Sequence, residues 1–344
     1  MAAAVTLSER TRGLTRPNPN VGCILVRDDR VVGRGWTQPG GRPHAEAMAL
    51  AQAGEKSRGA TAYVTLEPCA HESHRGPACA PSLASAGVAR VVAALVDPDP
   101  RTAGRGLALL AQAGVAVTHG VGADAAACAM AGFLTRRESG RPFVTLKLAT
   151  SLDGCIALAS GESRWITGPE ARAHAHLERA RHEAILVGRG TWEVDSPKLD
   201  VRLAGLEDRS PVRVVLSGRP HPSRSLRERA PSLSQWEREG APKAREGEGD
   251  VTRIARPDDI ALLEADHLLV EGGAHTAAAF LHAGLVDRLL LYRAPILIGG
   301  GRASLGDLGL TDLAPAHGRW RLADSRRLGI DRLEVYERIS CSPE

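Results

Sequence analysis

Within the first third of this 344-residue chain, His44, Cys69 and Cys79 supply one imidazole and two thiols, a donor set suited to zinc. Zinc held by three protein ligands keeps a fourth position for water and lowers the pKa of that water to about 7. Glu46 stands two residues after His44, close enough to shuttle protons without coordinating. The chemistry such a set can do is hydrolytic. A lone H-x-E is common by chance. Here it opens an expected helix, and Pro68-Cys69 behind a short strand and the later Cys79 make the pattern far more specific. Two other readings stay open at this point. The three residues could be ordinary core side chains, or a closed structural zinc site could recruit His71 or His74 as a fourth ligand.

A second set lies beyond residue 143. Leu146 to Gly154 reads as a strand running into a polar turn, and Ser160 to Thr167 follows it. Val270-Glu271-Gly272-Gly273 ends another strand, with a helix opening at Ala274 or His275. Glycines at a strand-to-helix turn let backbone approach a phosphate, which the first N–H groups of the helix can bind. Gly299-Gly300-Gly301 adds a further tight turn. There is no G-x-G-x-x-G with an acidic residue about twenty positions on, so the Rossmann fingerprint is missing. A strand-Gly-Gly-helix turn serves equally well as a plain tight connection. Arg179 and Arg202 have the permanent, bidentate charge that suits a phosphate. Read alone, Trp165 near a loop also fits a packing role, and Arg179 on a helix also fits a solvated face.

The elements that must carry these residues alternate. Strands are expected at 21–26 and 31–36 around the turn 27–30, then at 62–66 and 88–96. Helices are expected at 44–53, stopped by Gly54, and at 107–113 and 123–137. Ser139-Gly140-Arg141-Pro142 punctuates the chain, which places a boundary between a domain at 1–142 and one at 143–344. The second series has strands at 143–148, 184–187, 212–216, 267–270, 288–291 and 332–336, with helices at 169–182 and 274–283. Strands alternating with helices of this length make an α/β protein with sheets covered by helices. Residues 231–250, rich in Glu, Arg, Gly, Pro and Ser, lack apolar periodicity and read as a mobile surface insertion or a lid.

Composition narrows the class. Apolar residues at 43% and charged residues at 24% fit a globular protein. The net charge of +4 is too small and dispersed to argue for nucleic acid. No apolar run approaches the roughly 18–20 residues of a bilayer span, and residues 1–12 lack the long apolar segment of a secretory signal. Six cysteines are too few for a disulfide scaffold, so a reducing cytoplasm is the default and cysteines near histidines are read as ligands. Cys23, Cys128, Cys155 and Cys341 lack ligand spacing and read as small apolar or incidental thiols.

Residues 1–142 resemble the deaminase half of the bacterial bifunctional riboflavin-biosynthesis deaminase/reductases. The match rests on Pro17-Asn18-Pro19-Asn20-Val21-Gly22-Cys23, His44-Ala45-Glu46-Ala47 and Thr65-Leu66-Glu67-Pro68-Cys69. The nine residues between Cys69 and Cys79 are one more than the family's usual loop, which leaves its basic contact to substrate phosphate open between His74 and Arg75. Residues 143–344 resemble the reductase half, through Lys147-Leu148, Ser151-Leu152-Asp153-Gly154, Ala159-Ser160-Gly161-Glu162-Ser163, Trp165-Ile166-Thr167 and Val270-Glu271-Gly272-Gly273.

The resemblance implies a cytidine-deaminase-like α/β/α domain followed by a dihydrofolate-reductase-like α/β domain. It implies Zn2+ on His44, Cys69 and Cys79, with Glu46 catalytic, and Asn18 and His71 on the substrate. It implies NADPH against Ala149, Trp165, Thr191, Asp195, Ser217 and the turn Gly273, Ala274, His275, Thr276, Ala277, Ala278 and Ala279. Ser163, Arg179, Leu199, Arg202 and Glu271 would contact a phosphoribosylaminopyrimidine. Asp195-Ser196-Pro197 replaces the family's frequent Asp-Asp-Pro. The implied enzyme is cytoplasmic and homo-oligomeric, without nucleic-acid or membrane partners. The rival readings are a zinc nucleoside or base deaminase fused to an unrelated reductase, and a non-catalytic zinc-stabilised scaffold.

Overall fold

The computed structural model describes residues 1–71, 76–218 and 251–339. His74, Arg75, the segment 231–250 and Cys341 lie outside them. The chain divides into two units, the first covering Met1–Gly140 and the second starting at Arg141.

In the first unit Asp28 and Asp29 both take positive φ, 50° and 57°. The chain therefore reverses in two residues and pairs β1 (Gly22–Arg27) with β2 (Arg30–Trp36). β3 (Thr61–Leu66) runs antiparallel to β1, and β4 (Arg90–Leu95) and β5 (Ala116–His119) follow it in parallel. The sheet order is β2-β1-β3-β4-β5. Helices α1 (Ala2–Ser8), α2 (Ala45–Ala53), α3 (Cys79–Ser85), α4 (Arg105–Gln112), α5 (Ala123–Ala129) and α6 (Ala131–Ser139) complete it. Small side chains let α2 lie directly on the sheet. A Cβ at Gly35 would stand 1.9 Å from the Ala45 carbonyl oxygen, so no other residue fits under the start of α2. Ala45, Ala49 and Ala53 then pack with Cys23, Leu25 and Val64 in one core.

One sequence expectation needs correction here, and one helix of the site was not expected. The single helix over 123–137 is two, broken at Met130, where φ is −104° and ψ is 17°. At the break the buried Asn20 amide donates to the Ala129 carbonyl at 3.1 Å, and Met130 sits fully buried in the core. Helix α3, which begins on Cys79, was not expected. Pro81 disguised it, although proline costs nothing in a first turn whose N–H groups lack intrahelical acceptors.

The second unit has an eight-stranded sheet. β6 (Phe143–Thr150), β8 (Ala184–Gly188), β9 (Val212–Leu216), β10 (Thr252–Ile254), β11 (His267–Val270) and β12 (Arg288–Arg293) are parallel. β15 (Asp331–Arg338) and β14 (Trp320–Leu328) extend it as an antiparallel hairpin. The order is β10-β9-β8-β11-β6-β12-β15-β14, and β7 (Cys155–Ala157) pairs separately with β13 (Arg302–Ala303). Helices α7 (Pro169–Arg179), α8 (Arg189–Asp195) and α9 (Ala274–His282) join these strands. Val144, Leu146, Leu186, Leu268 and Phe280 share one core, while Ile185, Val187, Val215 and Leu269 form another. Neighbouring residues of one strand thus feed two cores, as a sheet covered on both faces requires.

Candidate functional site

In the first unit α2 starts where β2 forces it to. His44 is its N-cap residue, with extended backbone at φ −70° and ψ 161°, and Glu46 falls in its first turn. Cys69 follows β3 by three residues, and Cys79 is the first residue of α3. The His44 Nδ1 atom lies 3.3 Å from Cys79 Sγ and 3.7 Å from Cys69 Sγ. Zinc bonds of about 2.0–2.1 Å to nitrogen and about 2.3 Å to sulfur, at a tetrahedral angle, separate N and S by about 3.5–3.6 Å. The observed distances bracket that value, so the donor set fits the ion. Among the described residues, the group that could hold a metal ion here has these three members and no fourth. The His71 ring nitrogen meets Thr102 Oγ1 at 3.3 Å instead.

The surroundings favour an ionised sulfur. The Cys79 backbone N–H donates to Cys69 Sγ at 3.3 Å, and the hydrogen bond from the Cys79 thiol pulls the Cys69 thiol below its usual range. Glu46 is 4% exposed, and burial pushes its carboxyl up to about 7 against the pull of His44. That value suits a group that both takes and returns protons near neutrality. Asn18 Nδ2 approaches His44 Nε2 at 3.4 Å and donates to the Gly41 carbonyl.

Asn18, His44, Glu46, Cys69 and His71 line one cleft. Asp97, Asp99, Arg101 and Arg137 belong to its polar wall together with Arg42 and Glu67, and none of these was expected as a site residue. For Asp97, Asp99 and Arg101 the signal was available in Asp97-Pro98-Asp99-Pro100-Arg101, a polar turn directly behind the buried strand β4. Burial lifts Asp97 to about 6, while the hydrogen-bonded Arg101 holds Asp99 down at about 2.

In the second unit the parallel strands β9, β8, β11 and β6 lie side by side and end at one edge. Ala149 is near the end of β6, Thr191 and Ser217 follow β8 and β9, and Glu271 with Gly273 follows β11. Ligands of open α/β sheets bind at this carboxyl edge. Thr276 packs closely on Gly188 and Gly272, which seats α9 against the strand ends. The first intrahelical bond runs from Ala277 N–H to Gly273 O, so the N–H groups of Ala274, His275 and Thr276 open the helix start. Those three groups fit a cofactor phosphate. Ala277 is fully buried and Ala278 nearly so, so their side chains serve the core, and Ala279 follows them along the helix.

Arg179 and Glu271 form a bidentate pair, with Nε to Oε1 at 2.7 Å and Nη2 to Oε2 at 2.9 Å. Arg179 also donates to the Asp200 carbonyl at 3.0 Å. Lys147 Nζ stands 3.8 Å from Glu271 Oε2, a member of the cluster that was quoted in a motif but not expected in the site. Burial opposes the Glu271 charge, yet Lys147 and Arg179 outweigh it and hold the carboxyl at about 2. Arg202 is different. Its side chain is 61% exposed and meets only Asp200, at 3.5 Å, among the described ion pairs.

Leu199 takes φ +56° and packs into the core with Ile185 and Val187, so only its backbone faces outward chemistry. Ser163 and Trp165 lie on the exposed segment after β7, where the Arg172 guanidinium sits 4.7 Å from the Trp165 ring. Asp195 is exposed at the end of α8. Among the described hydrogen bonds and ion pairs, none ties Ser163, Trp165 or Asp195 to the Arg179–Glu271 cluster. Cys23 and Cys155 are buried thiols and Cys128 is exposed.

Comparison with known proteins covers both units. Residues 1–95 match the cytidine and deoxycytidylate deaminase zinc-binding region, and residues 142–333 match the RibD C-terminal domain. The chain is 42% identical to the riboflavin biosynthesis protein RibD of Escherichia coli (strain K12), covering 96% of each chain. It is 40% identical to the Aquifex aeolicus RibD, covering 91% of this chain and 90% of that one. A solved Acinetobacter baumannii RibD superposes with a TM-score of 0.80 at 36% identity, over 98% of each chain. The Thermotoga maritima diaminohydroxyphosphoribosylaminopyrimidine deaminase/5-amino-6-(5-phosphoribosylamino)uracil reductase gives a TM-score of 0.80 at 30% identity, over 98% of this chain and 97% of that one. With a His-Cys-Cys triangle suited to zinc and a buried carboxyl in one unit and a phosphate-suited strand edge in the other, the chain belongs to the RibD family of riboflavin biosynthesis proteins.

Proposed function

We propose that this chain carries two successive activities of riboflavin biosynthesis. The first unit hydrolyses an amino group from 2,5-diamino-6-(5-phosphoribosylamino)pyrimidin-4(3H)-one and releases ammonia. The second reduces the ribosyl side chain of the product to ribityl with NADPH. The observation that carries the reading is the His44–Cys69–Cys79 triangle with buried Glu46 beside it in a single cleft.

Zinc on that triangle supplies Lewis acidity to activate water. Glu46 takes one proton from the attacking water and delivers it to the ring, then takes the proton of the newly added hydroxyl group and delivers it to the departing amine. Asn18 and His71, on the wall of the same cleft, orient the pyrimidine and its ribosyl group. In the second unit the turn from Gly273 to Thr276 holds the cofactor phosphates, with Ala149, Trp165, Thr191, Asp195 and Ser217 around the rest of NADPH. The cofactor brings the hydride, and the protein's share is to position the sugar against it. Because Glu271 already engages Arg179, Arg202 carries the substrate phosphate and Glu271 lies by the sugar or amine, with Ser163 and Leu199 completing the contacts.

No described helix is long and apolar enough to cross a membrane. The same reading makes the enzyme cytoplasmic and homo-oligomeric, acting on a small molecule and not on nucleic acid. The test is to incubate the purified protein with the diaminopyrimidine phosphate, with and without NADPH. Ammonia release without NADPH, followed by NADPH-dependent loss of absorbance on its addition, is the expected result. A substrate lacking the phosphate that is turned over equally well would overturn it.

A further inference from the structure

Glu67 sits between strand β3 and Cys69, and the reaction above gives it no task. It is 3% exposed. Its carboxylate accepts four backbone N–H groups: Asp97 at 3.1 Å and Gly104 at 2.9 Å on Oε2, Gly106 at 2.8 Å and Leu107 at 3.2 Å on Oε1. Two of these belong to the first turn of α4 and two to the segment that leads into it. A buried carboxylate with four donors is fully satisfied, and its charge favours the positive end of the helix. The packing beside it is as tight. A Cβ at Gly106 would stand 1.9 Å from the Pro68 carbonyl oxygen, so the start of α4 rests directly on the peptide before Cys69.

The segment between Asp97 and Gly104 carries Asp99, Arg101 and Thr102. The first two line the cleft, and the third meets His71. One carboxylate therefore anchors both ends of the cleft's polar wall to the residue pair that precedes a metal ligand. We infer that Glu67 is a positioning residue for the deaminase centre, holding the 97–104 wall in register with the Cys69 loop through its four backbone hydrogen bonds. The inference rests on the deaminase reading of this unit.

Glu67→Gln separates this role from simple stabilisation. The amide keeps an oxygen for Gly106 and Leu107 but turns an N–H2 group toward the Asp97 and Gly104 donors. The wall should loosen while His44, Glu46, Cys69 and Cys79 stay. The expected result is about one zinc per chain retained, unchanged reductase turnover on the same chain, and deaminase kcat/KM lower by about 10–100-fold. The rise in KM should exceed the fall in kcat. A variant that only melts earlier, with wild-type KM and kcat per bound zinc, would overturn the inference.

Gly106→Ala probes the same contact from the other side, leaving the carboxylate intact. It should displace Pro68 and Cys69 and lower zinc retention. Full zinc and full deaminase activity in that variant would remove the link between α4 and the ligand loop. A third measurement needs no substitution. In the wild-type protein the amides of Asp97, Gly104, Gly106 and Leu107 should exchange with deuterium as slowly as core strand amides, although none lies in a strand or a helix interior. Fast exchange at Asp97 and Gly104 would show that Glu67 does not hold them. This readout is independent of ammonia release, so a failed deaminase assay and a failed Glu67 assignment remain distinguishable.

Discussion

Glu46 and Arg202 show how far a single side chain can be held to account. Glu46 is buried beside the ligand triangle and, with its carboxyl raised to about 7, can exchange protons near neutral pH. Glu46→Gln keeps size and hydrogen bonding but cannot carry a proton. Ammonia release should fall by about 10²–10⁴-fold, with zinc content and NADPH oxidation on added intermediate unchanged. Near wild-type release would remove Glu46 from the mechanism. Arg202 is exposed and lightly paired, which suits a phosphate ligand. Arg202→Lys keeps charge and loses the planar fork, so KM should rise more than turnover falls. Arg202→Ala should cost about 1.5–3 kcal/mol of substrate binding, the range for a charge-assisted contact. Titration of NADPH checks the division of labour, because equal weakening of cofactor and substrate would assign Arg202 to the cofactor.

Helix α2 is where element and chemistry meet. Its start is set by Gly35, whose would-be Cβ lies 1.9 Å from the Ala45 carbonyl oxygen. Gly35→Ala should push the first turn off the sheet and carry His44 and Glu46 with it. Overpacking of this kind costs about 1–3 kcal/mol. The expected phenotype is reduced zinc content and deamination with reductase activity intact, read on one preparation. Much of this element was legible in the chain: an Ala-rich run, His44 before it and Gly54 after it. Helix α3 was hidden by Pro81, and strand β14 by its exposure along nearly its whole length, which leaves no apolar alternation to read. The candidate ligands His44, Cys69 and Cys79 stood out because their side-chain chemistry is rare. The role of Glu67 was invisible because its four donors lie 30 to 40 residues away and are backbone groups that carry no residue signature. Lys147 was masked for a similar reason, since only folding brings β6 beside the end of β11.

At the scale of the molecule each unit has its own core, so unfolding should resolve into two transitions with separate pH dependence. Glu271 marks the second. Its folded carboxyl is depressed to about 2 from an ordinary value of 4.5, because Lys147 and Arg179 outweigh the penalty of burial. A depressed carboxylate stabilises the fold above its unfolded pKa, and that contribution is lost as pH falls through the folded one. The window therefore runs from about pH 4.5 down to about pH 2. At 1.36 kcal/mol per unit the contribution is on the order of 3 kcal/mol, most of it gone by about pH 3. Glu271→Gln leaves Lys147 and Arg179 without their carboxylate, so the second unit should be less stable at neutral pH. The decisive quantity is the slope. Stability of the variant, measured by denaturant unfolding between pH 6 and pH 3, should fall less steeply than that of the wild type. The transition of the first unit should keep its own pH dependence in both proteins. Parallel slopes for wild type and variant in the second transition would mean that Glu271 is not held ionised by its two cations, and the charge balance assigned to the reductase site would be wrong.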